Sequence, residues 1–154
     1  KDKILDTGGG VLNAIHYFSN QPFLIINPDT IWNNDYLKEI KLMESLFFKD
    51  QKSKCLLLLV SKNKSFDKSF KGDFNLSNNL INRDKSETYK YIYTGLQIIK
   101  PEVFSNIDSK VFSINKIWDK LIQTNELSGL ESNNDFLHVS NLNIYKDLLE
   151  KFKH

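Results

Sequence analysis

A single cysteine, Cys55, stands among 154 residues, so no intrachain disulfide and no cysteine-based zinc site is available. That usage suits a reducing cytoplasm. Neither sign of charge dominates: 21 Lys and Arg oppose 19 Asp and Glu, interspersed along the chain, for a formal net charge of +2. A dedicated nucleic-acid surface needs a basic face, and none is legible. The longest apolar run, residues 55–60, falls far short of the roughly 20 residues that cross a bilayer. No charged-then-apolar signal segment opens the chain, and the sequence points away from a membrane. Internal repeats, heptads and long linkers are also missing. Arg, Ala and Gly are sparse where Asn, Lys and Ile abound, a bias that reads as AT-rich codon usage. What is present is a chain 40% hydrophobic, too apolar for disorder and suited to one domain over residues 1–154.

Three consecutive glycines, Gly8, Gly9 and Gly10, precede Val11, Leu12, Ala14, Ile15 and Phe18 at helical spacing, with Ser19, Asn20 and Pro22 closing the pattern. The glycines are expected to form the turn that enters this helix. Residues 23–26 are continuously apolar and read as a buried strand ending at Asp29, which sets a carboxylate at its C-terminal end. A helix over 36–48 and a second apolar strand over 55–60, of the parallel type, complete a strand, helix, strand crossover of an α/β sheet.

Beyond Ser61 the texture changes. Residues 62–71 read as a solvated loop, and Ser77-Asn78-Asn79 offers the turn of a surface hairpin. Residues 89–99 are rich in β formers but interrupted at Thr94-Gly95, a special backbone position within a strand. Pro101 begins a helical turn, Ile114, Ile117, Trp118, Leu121 and Ile122 mark a helix, 136–139 a short strand, and 143–152 a closing helix.

Several positions are candidates for chemistry. A glycine turn before a helix exposes backbone N–H groups and lets a flat base or a phosphate approach, although an ordinary turn is the plain alternative. Neither a G-x-x-x-x-G-K-[ST] loop nor a G-x-G-x-x-G fingerprint accompanies it. Asp29 sits where open α/β sheets bind ligands and where a carboxylate can hold Mg²⁺ against phosphates; a turn cap is the competing role. Thr94 and Gly95 suit either a ligand contact or a β-bulge. His138, in a short apolar stretch, reads as structural before catalytic, and His16 and His154 show no partner. Cys55 leads an apolar strand with no activating neighbour in sequence, and is expected to be buried packing. Trp32 and Trp118 fit either core or ligand stacking.

The ordered stretches "LDTGGGVLNAI", "PFLIINPDTIW", "GDFNL", "YTGLQIIKPEVF" and "FLHVSN" together resemble the sugar-1-phosphate nucleotidyltransferases, most closely bacterial N-acetylmuramate-1-phosphate uridylyltransferases and mannose-1-phosphate guanylyltransferase-like proteins. The resemblance implies a Rossmann-like α/β nucleotidyltransferase fold with a mixed central sheet. It assigns Gly8, Gly9 and Gly10 to the nucleotide, Asp29 to Mg²⁺ and catalysis, and Thr94 and Gly95 to the sugar-phosphate pocket. Pro28 replaces the Gly or Ser that many relatives carry before the aspartate. His138 falls where many relatives place a second metal-binding aspartate, and Ser140 and Asn141 replace their Gly-Thr.

The family's opening strand and its G-x-G-x-R-x-x-P-x-T loop have no counterpart in residues 1–5, so the resemblance implies an N-terminally incomplete domain with a complementary N-terminal segment as partner. The implied reaction joins a nucleoside triphosphate to a sugar 1-phosphate, with UTP and N-acetylmuramate 1-phosphate first and GTP with mannose 1-phosphate second. A non-catalytic remnant or an unrelated α/β binding module are the readings of a different class.

Overall fold

The computed structural model describes residues 4–84 and 88–153. In chain order it comprises α1 (Asp6–Ala14), β1 (Phe23–Ile26), α2 (Tyr36–Lys49), β2 (Cys55–Ser61), β3 (Asn75–Ser77), β4 (Leu80–Asn82), β5 (Tyr91–Ile99), α3 (Asn115–Gln123), β6 (Leu127–Glu131) and α4 (Leu142–Phe152), with short 3₁₀ turns between them.

The six strands form one sheet in the order β1-β5-β2-β6-β4-β3. β5 runs antiparallel to both β1 and β2, whereas β6 runs parallel to β2, so the sheet is mixed. β1 and β2 therefore point the same way, as the expected crossover requires, but β5 lies between them. The strand of the parallel type has one parallel and one antiparallel neighbour.

β2 occupies the centre because both of its faces are apolar, the pattern of a strand covered on both sides. Cys55, Leu57 and Leu59 face a cluster with Phe23, Ile99, Ile117, Trp118 and Leu121, against which Val11 and Leu12 of α1 also pack. Leu56 and Leu58 face the other way, onto Tyr36, Met43 and Phe47 of α2. Two layers of helix thus cover one sheet.

Three local outcomes differ from expectation. The glycines are not the turn before α1 but its first turns, entered through Asp6 at φ +61°. Residues 136–139 form no regular strand; Phe136 and His138 make isolated bridges to Ser65 and Thr30. The short β6, with Gly129 in its middle, is the strand that the local pattern did not announce, and its partner β2 stabilises it. The hairpin is as expected, with Asn78 and Asn79 at φ 50° and 62° in its turn, a conformation that Asn tolerates.

Candidate active site

β1 ends at Ile26, and the next four residues are fixed from several directions. Asn27 N–H donates to the Gly95 carbonyl (2.8 Å) while the Asn27 carbonyl accepts from Trp32 Nε1 (2.9 Å). Thr30 is buried, and its hydroxyl donates to the Thr94 carbonyl at 2.8 Å. Across the segment, Val139 N–H donates to the Asp29 carbonyl and Ile31 N–H to the Leu137 carbonyl, both at 2.8 Å. The backbone is thus held on either side of Asp29, and its side chain is left half-exposed at 49%. Pro28 fits this turn without disturbing any of these bonds.

Thr94 and Gly95 support that segment. The Thr94 hydroxyl donates to the Leu58 carbonyl at 2.9 Å, where the β2–β5 register shifts and the ladder leaves a gap. Gly95 has φ +93°, and what approaches its bare Cα is the Asn27 side chain. The carbonyls of both residues therefore meet the Asp29 segment, while the Thr94 side chain is spent on β2. The pair forms the expected special backbone position.

A cavity of about 540 Å³ lies between α1, α3 and the sheet, lined by Gly10, Asn27, Asp73, Arg83, Tyr93 and Trp118 among others. Gln97 in its wall joins the Trp118 Nε1–H (3.0 Å) and the Cys55 thiol (3.3 Å) through one carbonyl oxygen. The Tyr93 hydroxyl is buried with no hydrogen-bond partner in good geometry among the described residues. Burial first, and then nearby negative charge including that of Asp29, pushes its pKa well above the ordinary phenol value. Arg83 is held against this wall by Asp119 and Asn115, both at 2.8 Å, with its guanidinium 4.4 Å above the Phe74 ring.

The three glycines divide. A Cβ on Gly8 would collide with Phe112, and one on Gly9 with the Lys110 carbonyl, whereas Gly10 has nothing within 4 Å of that position. Gly8 and Gly9 let residues 110–112 lie against α1; Gly10 opens toward the cavity.

His138 Nε2 lies 3.3 Å from Asp29 Oδ2, so the residue that sequence left ambiguous joins the site. A single carboxylate is a sufficient protein ligand for Mg²⁺ when phosphates complete the shell, and Asp29 fits that role. Among the described residues no three His, Cys, Asp or Glu side chains converge as they would round an ion held by protein alone. Cys55 is fully buried and burial pushes its thiol far up, as expected of packing. Trp118 belongs to the cavity wall, while Trp32 packs edge-on against Tyr36 at 4.8 Å. His16 lines a different cavity near Lys100 and Phe104, and His154 lies outside the described residues.

Sequence reasoning missed Asn27, Tyr93, Gln97 and Arg83. The period-2 spacing of Tyr93 and Gln97 was available, but the bulge at Gly95 hid which face they share.

No protein-family model matches the chain. The N-acetylmuramate alpha-1-phosphate uridylyltransferase of Caulobacter vibrioides is 26% identical over 137 residues, which are 88% of this chain and 56% of that protein. The chain thus spans about half the length of the curated relative it matches. Among solved structures, HddC from Yersinia pseudotuberculosis superposes with a TM-score of 0.69 at 21% identity, over 99% of this chain and 64% of HddC. The inositol-1-phosphate CTP transferase of T. maritima gives 0.68 at 15% identity, over 97% of this chain and 63% of that one. The fold is that of the nucleotidyltransferases, and the resemblance read from the sequence to sugar-1-phosphate members stands.

Proposed function

We propose that the chain supplies the metal-binding and sugar-phosphate half of a nucleotidyltransferase that joins a nucleoside triphosphate to a sugar 1-phosphate, releasing pyrophosphate. The observation that carries this reading is Asp29: a half-exposed carboxylate whose carbonyl is held by Val139 N–H, just beyond the C-terminal end of a strand and two residues from Asn27 in the wall of a cavity. An oxygen of the sugar 1-phosphate attacks the α-phosphorus in line, and the bond to pyrophosphate breaks. No covalent intermediate on the protein is needed.

Asp29 holds Mg²⁺ in this reading, and the ion when bound neutralises charge on the reacting phosphates. The chain's own residues position the partners. Gly10, the glycine with open space above it, admits the nucleoside, and Gly8 and Gly9 keep α1 close enough for that approach. Thr94 and Gly95 hold the Asn27–Thr30 turn, and the cavity beside them receives the sugar phosphate. The triphosphate cradle comes from a complementary segment, for which β1 is the natural seat: four consecutive apolar residues paired on one side only among the described strands. An edge so free of charge and proline invites a further strand.

UTP with N-acetylmuramate 1-phosphate is the preferred pair, in keeping with the named activity of the Caulobacter relative. GTP with mannose 1-phosphate is the second, since HddC has been crystallised with GMP-PN. A cytoplasmic location suits these substrates; among the described residues no helix is long and apolar enough to cross a membrane. The test is pyrophosphate release with Mg²⁺, UTP or GTP and each sugar 1-phosphate, by the chain alone and with the N-terminal segment of a relative added. Turnover that disappears in Asp29→Ala supports the reading. Nucleotide binding that is indifferent to Mg²⁺ and to Asp29→Ala, without turnover in either arm, identifies a binding module instead.

A further inference from the structure

We propose that His138 is a positioning residue for the Asp29 carboxylate, carrying its proton on Nε2 and donating it to Asp29 Oδ2, and that it is not itself a metal ligand. The proposal rests on the reading of Asp29 as the metal-binding carboxylate only for its consequence; the pairing of the two side chains stands apart from it.

The argument is one of proton placement. Nε2 lies 3.3 Å from Asp29 Oδ2, close enough for donation, while Nδ1 is buried and has no hydrogen-bond partner among the described residues. The ring packs against both Phe70 and Phe136, with centroids 5.5 and 5.6 Å away, so its surroundings are largely apolar. The other carboxylate of this region, Asp67, is already engaged: Oδ1 accepts from the Ser69 N–H and hydroxyl, and Oδ2 accepts from the Ser140 hydroxyl. For Nε2 to bind a metal ion, the ring proton must move to Nδ1. A metal-bound histidine almost always passes that second N–H to an acceptor, and here it would be buried without one. Keeping the proton on Nε2 leaves only a bare acceptor nitrogen in the apolar slot, the less costly of the two arrangements.

The backbone supports the same geometry. Thr30 and His138 form an isolated antiparallel bridge, and Val139 N–H holds the Asp29 carbonyl, so the segment carrying the imidazole is tied to the turn carrying the carboxylate. Donation from Nε2 would fix the carboxylate by Oδ2 and leave Oδ1 free for an ion.

The test begins with long-range ¹H–¹⁵N correlation of the imidazole rings in the ¹⁵N-labelled chain. Only His16, His138 and His154 contribute, and His138→Gln identifies the signals of interest. A protonated Nε2 with a bare Nδ1 is the expected result, with the Nε2–H proton shift and solvent protection falling in Asp29→Ala while the proton stays on Nε2. A proton on Nδ1, or a pattern indifferent to Asp29→Ala, overturns the proposal, whatever the catalytic assay returns.

Affinity for Mn²⁺ alone, read by water-proton relaxation, separates positioning from ligation. His138→Ala should weaken it about 10-fold, the lower end of what loss of an outer-shell partner costs. His138→Gln, whose amide N–H reaches toward the Nε2 position, should restore most of that loss, and Asp29→Ala should remove binding. Equal losses in His138→Gln, His138→Ala and Asp29→Ala would make His138 a ligand and end the proposal. Wild-type chain that ignores Mn²⁺ counts against the metal-binding role of Asp29, with the tautomer result still deciding the pairing. Dispersed amide spectra for each variant establish that it is folded.

Discussion

Asn27 rests on Gly95: a Cβ built on Gly95 would lie 2.7 Å from the Asn27 Cβ, and Gly95 itself has φ +93°. The glycine therefore does two things for the Asp29 turn. It allows the bulge in β5, and it leaves room for the residue two before the carboxylate.

Gly95→Ala should be destabilising through both causes, by about 1–3 kcal/mol from the backbone conformation alone. Chemical denaturation reads the loss. The same variant should lower Mn²⁺ affinity, because Asn27 must shift and carries Asp29 with it; unchanged affinity in a folded variant would separate the two.

Gly9→Ala and Gly10→Ala should act oppositely. The methyl on Gly9 meets the Lys110 carbonyl, which cannot retreat without moving residues 110–112, and overpacking of this kind costs about 1–3 kcal/mol. The methyl on Gly10 meets nothing and replaces the poorest ordinary helix former with the best, a gain approaching 1 kcal/mol. Gly10→Ala should nonetheless weaken nucleotide binding if the nucleoside approaches there. Melting curves and titration with UTP measure the two effects separately.

Cys55 should be silent toward thiol reagents in the native chain. It is fully buried, its thiol is engaged by Gln97, and burial pushes its pKa far up, so almost no thiolate exists at neutral pH. Labelling should proceed at the rate of global opening and become fast in urea. Rapid native labelling would show that the wall of the cavity opens locally.

Asp67 should contribute to the acid limb of stability. Hydrogen bonds from Ser140, and then from the Ser69 hydroxyl and N–H, hold its carboxyl below the usual range. A depressed folded value means that the unfolded chain takes up the proton first. The contribution is then complete above about pH 4 and fades as pH falls through the lowered folded value. Asp67→Asn should flatten this limb in denaturation curves taken from neutral pH downward. Glu126, also depressed, through Thr124 first and then Lys54, should keep it from becoming level.

Much of this architecture was legible in one dimension. The runs at 23–26 and 55–60 are apolar without alternation and both are strands; β2 is covered on both faces as that pattern implies, whereas β1 lies at the sheet edge with Phe23 buried and Ile26 47% exposed. The 3.6-residue spacing through Ile117, Trp118 and Leu121 placed α3, and the Asn78-Asn79 turn placed the hairpin. β6 was not legible because Ser128 and Gly129 have little strand preference of their own; pairing with β2 decides it. Residues 136–139 erred the other way: β-forming side chains that meet Ser65 and Thr30 only at single bridges.

For the site, the sequence by itself determined which residue types stand at the strand end: a carboxylate at Asp29, a break at Thr94-Gly95, and glycines before an apolar stripe. Tertiary structure alone decided what each of them faces. Gly8 and Gly9 serve residues 110–112, Thr94 and Gly95 serve the turn at 27–30, and His138 arrives beside Asp29 from 109 positions away along the chain. Local preference acts over a few bonds, so it can name a bend or a buried stripe; proximity between distant side chains exists only once the sheet has set its strand order and register.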